Sequence, residues 1–344
     1  MVAATQQIRF VPVTGGRVAV ATTGDGPPLV IPPPWISHVE LEWEFPEYRA
    51  FVSALAAEHT VIRYDRLGIG LSDADPAGDR ADVGTEAGRL ADLLDGLRVG
   101  RAPLLGISWG SCVAIAFAAG HPERVPALAV NGCLVTGADV APADLRAAVV
   151  ATIRAHWGAG SRLLADVWIP GTDAAARDRF ARLQRASAPG ERAAAALEAV
   201  YTTDIRPLLP GVSSPLLVTH RRDDRAVPFA AARDLAAAVA GARLVPLDGG
   251  IHPPWLGDAG QVLDAVLPFL RDHRAADAAG GAALSDRERE VLRLVAAGLA
   301  DAEIAAELHL SPHTVHRHVA NIRAKLRQPS RAAAAAYAAR SGLI

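Results

Sequence analysis

Up to about residue 270, the chain alternates between short β-branched apolar runs and longer stretches with the period of a helix. Short apolar runs bounded by turn residues are typical of strands, and their alternation with helices indicates a mostly parallel sheet covered by helices. The pattern predicts eight strands, at residues 8–13, 17–22, 29–31, 60–64, 103–107, 127–131, 216–219 and 243–246. The first two flank Gly15 and Gly16 and are expected to pair antiparallel.

One interval, at about 137–206, breaks this alternation. It is rich in alanine and arginine, has a helical period, and is too long to be a bare loop in a compact domain. We therefore expect a helical lid inserted between two strands of the sheet.

Residues 284–344 have a different organisation, with four helical segments at 286–297, 301–308, 312–326 and 331–341. About three residues separate the second segment from the third, as a helix-turn-helix requires. Ser311 and Pro312 are favourable residues for the start of the third segment. The small-residue stretch 275–283 precedes these helices and is predicted to be a linker. The predicted domains are therefore 1–274 and 284–344.

The third C-terminal segment is predicted to be amphipathic. Four apolar residues recur at helical spacing and are expected to face a small core: Val315, Val319, Ile322 and Leu326. The opposite face carries His316, Arg317, Ala320 and Arg323 and has no acid. A helix that is apolar on one side and cationic on the other suits the DNA major groove, although a solvated basic face is the alternative.

The net charge of the whole chain conceals a difference in charge between its two predicted domains. The 344 residues have a formal net charge of −2, which by itself argues against nucleic-acid binding. Residues 284–344, however, contain nine bases and six acids, a net charge of +3, while the remainder carries −5. No acid follows Glu307. The C-terminal domain is therefore a candidate for binding DNA.

The composition also excludes several classes of protein. Half of the residues are apolar, which excludes a disordered chain. The two cysteines, Cys112 and Cys133, cannot form a disulfide framework and have no metal-ligand spacing, so a reducing cytoplasm is expected. The N-terminal residues lack the features of a signal peptide, and no apolar run is long enough to span a membrane. We expect no metal and no cofactor.

The most informative motif is Gly-Ile-Ser-Trp-Gly at 106–110, which lies between an apolar strand and a small-residue helix. A sharp strand-to-helix turn strains the central residue, and glycines on either side remove side chains that would clash. Ser108 would thereby be exposed at a helix N-terminus that favours a developing anion. Ser108 is therefore predicted to be a nucleophile; a simple Gly/Ser turn is the alternative.

A serine nucleophile requires a base and an orienting carboxylate, in the chain order serine, acid, histidine on this kind of sheet. Asp224 follows the strand at 216–219, and His252 follows the last strand. Both positions lie at carboxyl ends of strands, where the sites of open α/β sheets are found. Asp223 is the competing acid, because spacing cannot separate adjacent carboxylates.

With these motifs, residues 8–270 resemble the α/β-hydrolase superfamily. The loop Asp-Arg-Leu-Gly-Ile-Gly-Leu-Ser-Asp at 65–73 matches the turn after the fourth strand of many members. The resemblance implies a doubly wound, mostly parallel sheet with a helical lid. The family's acid motif selects Asp224, since Pro228 fits, although Arg221 replaces the usual glycine.

The same resemblance implies an oxyanion hole formed by the backbone N–H groups of Trp35 and Trp109. The loop departs from the family here, because Pro32, Pro33 and Pro34 replace the usual His-Gly and have no N–H to donate. Several tryptophans stand beside these motifs or in the predicted lid, which indicates an apolar ligand pocket; ordinary packing is the alternative.

The C-terminal segments closely resemble the LuxR/GerE-type DNA-binding domain, in the strings Leu-Ser-Asp-Arg-Glu-Arg-Glu-Val-Leu at 284–292 and Thr-Val-His-Arg-His-Val at 314–319. Carried over by position, the resemblance implies that three residues meet base edges, namely His316, Arg317 and Ala320. It implies phosphate contacts from four others: Ser311, Thr314, Lys325 and Arg331. The sequence departs at Asp301-Ala302, where family members have Asn/Ser-Lys. Such domains commonly pair, so a homodimer is expected.

The sequence therefore predicts an α/β-hydrolase-fold domain joined to a small all-α helix-turn-helix domain. The leading hypothesis is a one-component transcriptional regulator whose hydrolase-fold domain senses, and slowly hydrolyses, a small apolar ester- or lactone-like ligand. The alternative is a serine esterase or lactonase in which the DNA-binding tail is secondary. The expected partners are DNA, the ligand and a second copy of the chain, without a membrane.

Overall fold

All eight predicted strands are present and form one sheet in the computed structural model, which describes residues 5–75, 82–280, 284, 286–308, 310–326, 328 and 330–340. The strands are β1 (Gln7–Val13), β2 (Gly16–Thr23), β3 (Pro28–Ile31), β4 (Thr60–Tyr64), β5 (Leu104–Ile107), β6 (Leu128–Asn131), β7 (Leu216–Arg221) and β8 (Arg243–Leu247). Their order across the sheet is β1-β2-β4-β3-β5-β6-β7-β8. β2 pairs antiparallel with both β1 and β4, and every other pairing is parallel.

Nine helices are found among the described residues up to Gly280. They are α1 (Pro46–Ala56), α2 (Val83–Gly96), α3 (Trp109–Gly120), α4 (Ala143–Ala155), α5 (Trp157–Trp168), α6 (Ala174–Ser187), α7 (Gly190–Thr202), α8 (Phe229–Ala238) and α9 (Ala259–Gly280). Short 3₁₀ helices lie at Glu42–Glu44, Pro122–Arg124, Gly137–Asp139 and Arg206–Gly211. None of the described helices is both long enough and apolar enough to cross a lipid bilayer.

Apolar side chains cover both faces of the sheet, as its alternating strand residues require. Leu104 and Leu128 point into a core shared with α2, α3 and α8. Their neighbours Leu105 and Ala129 point into a second core, shared with α1 and α9. The sheet is therefore doubly wound, which confirms the predicted fold class.

Four helices, α4 to α7, occupy the interval 137–206 between β6 and β7. Side-chain caps set several of their boundaries: the Asp173 carboxylate accepts from the Ala176 N–H at 2.7 Å, and His156 Nδ1 accepts from the Ala159 N–H at 3.0 Å. This insertion stands above the carboxyl ends of β6 and β7, where it supplies walls to the cavities described below.

The chain divides into two compact units between Arg271 and Asp272. Residues 275–280, predicted to be part of a linker, continue α9 as helix, and residues 281–283 lie outside the described residues. The alanines of this stretch are strong helix formers, so the described part of the predicted linker is helical, and its role as a linker stays a prediction. The position of the domain boundary itself stays a prediction.

The C-terminal unit contains α10 (Asp286–Ala296), α11 (Asp301–Glu307), α12 (Pro312–Lys325) and α13 (Arg331–Arg340). The predicted apolar stripe of α12 is buried in one cluster with residues of the other three helices. The stripe contributes Val315, Val319, Ile322 and Leu326, and the other helices contribute Val291, Leu292, Ile304, Ala334 and Ala338. The Ser311 hydroxyl accepts from the Thr314 N–H at 3.1 Å and so caps α12. α11 and α12 are separated as in a helix-turn-helix.

Candidate functional site

Ser108 occupies a strained turn between β5 and α3. Its backbone has φ +54° and ψ −129°, a region that L-residues rarely adopt. A Cβ on Gly106 would lie 2.4 Å from Ser111 Cα, and one on Gly110 would lie 2.4 Å from the Pro32 carbonyl oxygen. Both glycines are therefore required by the close packing of this turn, as the sequence motif indicates.

His252 and Asp224 come together from the loops that follow β8 and β7. His252 Nδ1 lies 2.7 Å from Asp224 Oδ2, and both side chains are buried. The other carboxylate oxygen of Asp224 accepts from the backbone N–H groups of Ala226 and Val227, at 2.8 and 3.2 Å. Asp223, the competing acid, is exposed. The geometry pairs the histidine with Asp224.

The environment keeps Asp224 ionised. Burial acts to raise the pKa of its carboxyl, but the neighbouring His252 and His220 and the hydrogen bonds that the carboxylate accepts together hold the pKa below its usual range. A second buried histidine, His220, lies 3.6 Å from the same carboxylate oxygen, and burial lowers the pKa of its imidazole. An ionised, oriented carboxylate is what a histidine base needs for a fixed tautomer.

Two backbone features position His252. Its N–H donates to the Trp168 carbonyl at 2.7 Å. A Cβ on Gly132 would lie 2.8 Å from His252 Cε1, so the glycine leaves room for the imidazole. Among the described residues, hydrogen bonds join His252 to Asp224 but do not extend to the Ser108 hydroxyl. In ligand-free enzymes this last contact commonly tightens only when substrate is bound.

Arg66 connects the two residues whose N–H groups are expected to form the oxyanion hole. Its Nη2 donates to the Trp35 carbonyl at 2.8 Å, and its guanidinium lies 5.3 Å from the centre of the Trp109 ring. The Trp109 indole in turn donates to Thr203 Oγ1 at 2.9 Å. From sequence, Arg66 is only part of the family-like loop at 65–73, because nothing in the sequence indicates contacts to residues so distant along the chain.

Two cavities open beside Ser108 and share the walls made by Trp35, Trp168, Ser108 and His252. The larger has a volume of about 220 Å³ and is lined by apolar residues of the inserted helices, such as Leu145, Val149, Leu164 and Leu197. The smaller has a volume of about 60 Å³, and its walls include the aromatic residues Trp35, Trp168, Phe180 and Trp255. An apolar chamber with a few polar groups at one end is typical of a small-molecule site.

The predicted DNA-binding face is exposed in the C-terminal unit. His316, Arg317 and Ala320 lie on the solvent side of α12, opposite its buried stripe. Ser311 Oγ lies 2.8 Å from Thr314 Oγ1 at the start of the helix. The structure therefore places the residues expected to meet base edges on one open surface.

Acidic side chains pair with several residues of this face. Lys325 Nζ lies 2.6 Å from the buried Glu288 carboxylate. Arg331 forms an ion pair with Asp301, and His316 Nδ1 lies 3.5 Å from the other oxygen of the same carboxylate. Asp301 thus offsets the positive charge that Arg331 would offer to phosphates.

Comparisons with known proteins agree with both units. Residues 27–258 match the family described as alpha/beta hydrolase fold, and residues 282–338 match bacterial regulatory proteins, luxR family. The chain is 31% identical over 251 residues to a pimeloyl-[acyl-carrier protein] methyl ester esterase of Nitrosomonas europaea, which covers 70% of this chain and 94% of that protein.

The C-terminal part has its own relative. It is 37% identical over 91 residues to a putative HTH-type transcriptional regulator of Mycobacterium tuberculosis, covering 26% of this chain and 10% of that protein. Among solved structures, the enol-lactonase from Burkholderia xenovorans LB400 aligns with a TM-score of 0.63 and 27% identity, over 76% of this chain and all of that chain.

Proposed function

Since the chain belongs to the alpha/beta hydrolase fold family and carries a luxR-type DNA-binding domain, we propose that it is a one-component transcriptional regulator whose hydrolase-fold domain senses, and slowly hydrolyses, a small ester- or lactone-like ligand. The observation that carries the proposal is the Asp224–His252 pair beside a strained serine, in the same chain as an exposed basic helix. The ligand occupies the cavities that Ser108 and His252 line.

In the hydrolytic step, His252 removes the Ser108 proton as Oγ attacks the ligand carbonyl, and Asp224 stabilises the resulting imidazolium. The N–H groups of Trp35 and Trp109 receive the developing oxyanion. The imidazolium then gives its proton to the leaving alkoxide, and water releases the acyl group by the reverse sequence. A lactone would open to a hydroxy acid, so that hydrolysis resets the sensor.

A serine esterase or lactonase with a secondary DNA-binding tail is the second candidate, and the similarity to an esterase and an enol-lactonase supports its chemistry. The regulator is preferred because the C-terminal unit retains a complete helix-turn-helix with an exposed basic face. Its partners are then DNA and a second copy of the chain, bound at two half-sites. Cys112 and Cys133 are free thiols, which fits a cytoplasmic protein.

Arg66 should act as a positioning residue for the oxyanion hole. In Arg66→Met the Trp35 carbonyl and the Trp109 ring lose their common partner, so we expect kcat for p-nitrophenyl butyrate to fall about tenfold with KM changed less than twofold. This loss is smaller than the roughly 10²–10³ that follows removal of an oxyanion donor itself. Steady-state kinetics separate kcat from KM.

The matched control is Arg89→Met, which removes another buried arginine, paired with Asp75 and Glu86. It should lower the melting temperature and leave kcat within threefold, since the side-chain hydrogen bonds of Arg89 within the described part of the chain go to Asp75 and Glu86. Equal losses of kcat in the two variants would assign Arg66 to stability alone.

The proposed function is tested by two measurements on one preparation of the full chain. Ester turnover must depend on Ser108, and DNA binding must depend on Arg317 and weaken with salt. Turnover that does not depend on Ser108 would contradict the proposed hydrolysis of the ligand. DNA binding that does not depend on salt or on Arg317 would contradict the proposed role as a transcriptional regulator.

A further inference from the structure

The segment that carries His252 is an irregular loop. It consists of residues 248–258, all described by the structure, and connects β8 to α9. Glycines in the left-handed region stand near its two ends, Gly249 at φ +95° and Gly257 at φ +67°. The backbone carbonyls of an irregular loop need hydrogen-bond partners other than those of a helix or a sheet. The position of the histidine therefore depends on whatever holds this loop.

Arg221, the last residue of β7, donates hydrogen bonds to four carbonyls of the loop. Its Nη1 donates to the residues immediately before and after the histidine, Ile251 and Pro253, the second at 3.0 Å. Its Nη2 donates to the Leu256 carbonyl at 2.7 Å and to the Asp258 carbonyl at 3.2 Å. A guanidinium has two N–H bonds on each Nη, so both nitrogens are fully used on this one loop.

The guanidinium is buried together with the loop backbone. Arg221 is only 5% exposed. Burial lowers the pKa of its guanidinium, and the charges of Asp224 and Asp258 act in the opposite direction. Arginine stays charged in proteins, and a buried charge is costly unless it is paired and hydrogen-bonded. The four carbonyls and the two neighbouring carboxylates offset that cost.

Arg221 also stands where the acid motif of the α/β-hydrolase family usually has glycine. Glycine has no side chain and can make none of these four bonds. In this chain the end of β7 therefore supplies two supports for the histidine. Asp224 binds the imidazole, and Arg221, three residues earlier, binds the backbone on both sides of it.

We propose that Arg221 is a positioning residue for His252, and that its hold on the flanking carbonyls fixes where the imidazole stands relative to Ser108. The inference rests on the proposed function, because the position of the imidazole affects a rate only if His252 acts as the base. A misplacement of about 1 Å, even one caused by a distant substitution, can lower a rate by roughly 10²-fold. Arg221 contacts the loop and not the ligand, so its effect is expected on kcat.

Kinetics of the full chain with p-nitrophenyl butyrate provide the first test. Arg221→Met removes all the donors, and we expect kcat to fall about 20-fold. KM should change less than about threefold, because the walls of the larger cavity come mainly from the inserted helices. Arg221→Lys keeps the positive charge and three N–H donors, so kcat should fall less than about fivefold. Melting temperatures show whether each variant is folded, and the lysine variant serves alone if the methionine variant is not.

Amide hydrogen exchange provides a second test that does not depend on turnover. Exchange of the peptide 249–258 is followed by mass spectrometry, since the His252 N–H in this loop donates to the Trp168 carbonyl at 2.7 Å. Loss of the guanidinium should speed exchange of this peptide about tenfold or more and leave the peptides of β5 and β6 unchanged. The lysine variant should give an intermediate rate.

Arg124→Met is the matched control. Arg124 is half-buried and donates to the carbonyls of Gly100 and Val99, at 3.2 and 3.0 Å, in the loop before β5. Since parallel strands such as β5 place the site at their carboxyl ends, this loop lies at the opposite edge of the sheet. The control variant should keep kcat within about twofold and the exchange of 249–258 unchanged.

Three results would overturn the inference. They are unchanged exchange of 249–258 in the Arg221 variants, an unchanged kcat in a chain whose turnover requires Ser108, and equal losses of kcat in Arg221→Met and Arg124→Met. Failure of the proposed function is distinct. In that case the wild-type chain shows no Ser108-dependent turnover, and the exchange measurement still decides whether Arg221 holds the loop of His252.

Discussion

Substitution of Ser108 by alanine is expected to lower the turnover of p-nitrophenyl butyrate by about 10³-fold or more. Without Oγ the acyl-enzyme cannot form, and His252 and Asp224 then have no nucleophile to activate. The effect should fall on kcat, because the cavity walls that bind the ester are unchanged. Loss of a member of a catalytic triad leaves only the rate that the oxyanion hole and binding provide.

Ser111→Ala is the matched control for this experiment. Ser111 is the third residue of α3 and is fully buried, and its hydroxyl has no partner among the described residues. Its removal should therefore leave kcat/KM within threefold and should not lower the melting temperature. Turnover that persists in Ser108→Ala, or that falls equally in Ser111→Ala, would contradict the role assigned to Ser108.

Substitution of Arg317 by alanine should weaken DNA binding by about 10- to 100-fold, the loss of one base-edge contact being worth roughly 1–3 kcal/mol. Arg317 is exposed at the middle of the basic face of α12. The probe is a duplex selected by the wild-type chain from a random-sequence pool, and the dissociation constant is measured at several salt concentrations. The wild-type affinity should fall steeply with salt because phosphate contacts release counterions.

Arg293→Ala changes the charge by the same amount on α10, where Arg293 is exposed. It should leave the DNA affinity within threefold, because the effect of Arg317 is expected to come from its position on α12 and not from its charge alone. If the two variants lose affinity equally, net charge explains the binding and α12 is not the recognition helix. If neither loses affinity, the interface lies elsewhere.

The sheet could be predicted from sequence because each strand is a short apolar run bounded by turn residues, and all eight runs became strands. The strained turn at Ser108 could also be predicted, because the two glycines that it requires are close to Ser108 in the sequence. The buried stripe of α12 followed from its period alone. These features depend on residues close together in the chain.

Features that depend on distant residues were not predictable. Arg66 contacts Trp35 and Trp109, and Lys325 pairs with Glu288, across separations that hydrophobic period does not encode. The alanines of 275–280 suggested a linker because they are small, whereas their helix propensity continues α9.

Ligand binding in the hydrolase-fold domain is expected to change the affinity of the full chain for DNA. The DNA affinity of the full chain carrying Ser108→Ala, which binds the ester without turnover, is measured with and without a saturating amount of p-nitrophenyl butyrate, on the selected duplex and at fixed salt. Coupling between two sites typically changes affinity by roughly 5- to 150-fold. We expect a change of at least about fivefold, in either direction. An identical affinity with and without the ester would contradict control of DNA binding by the ligand.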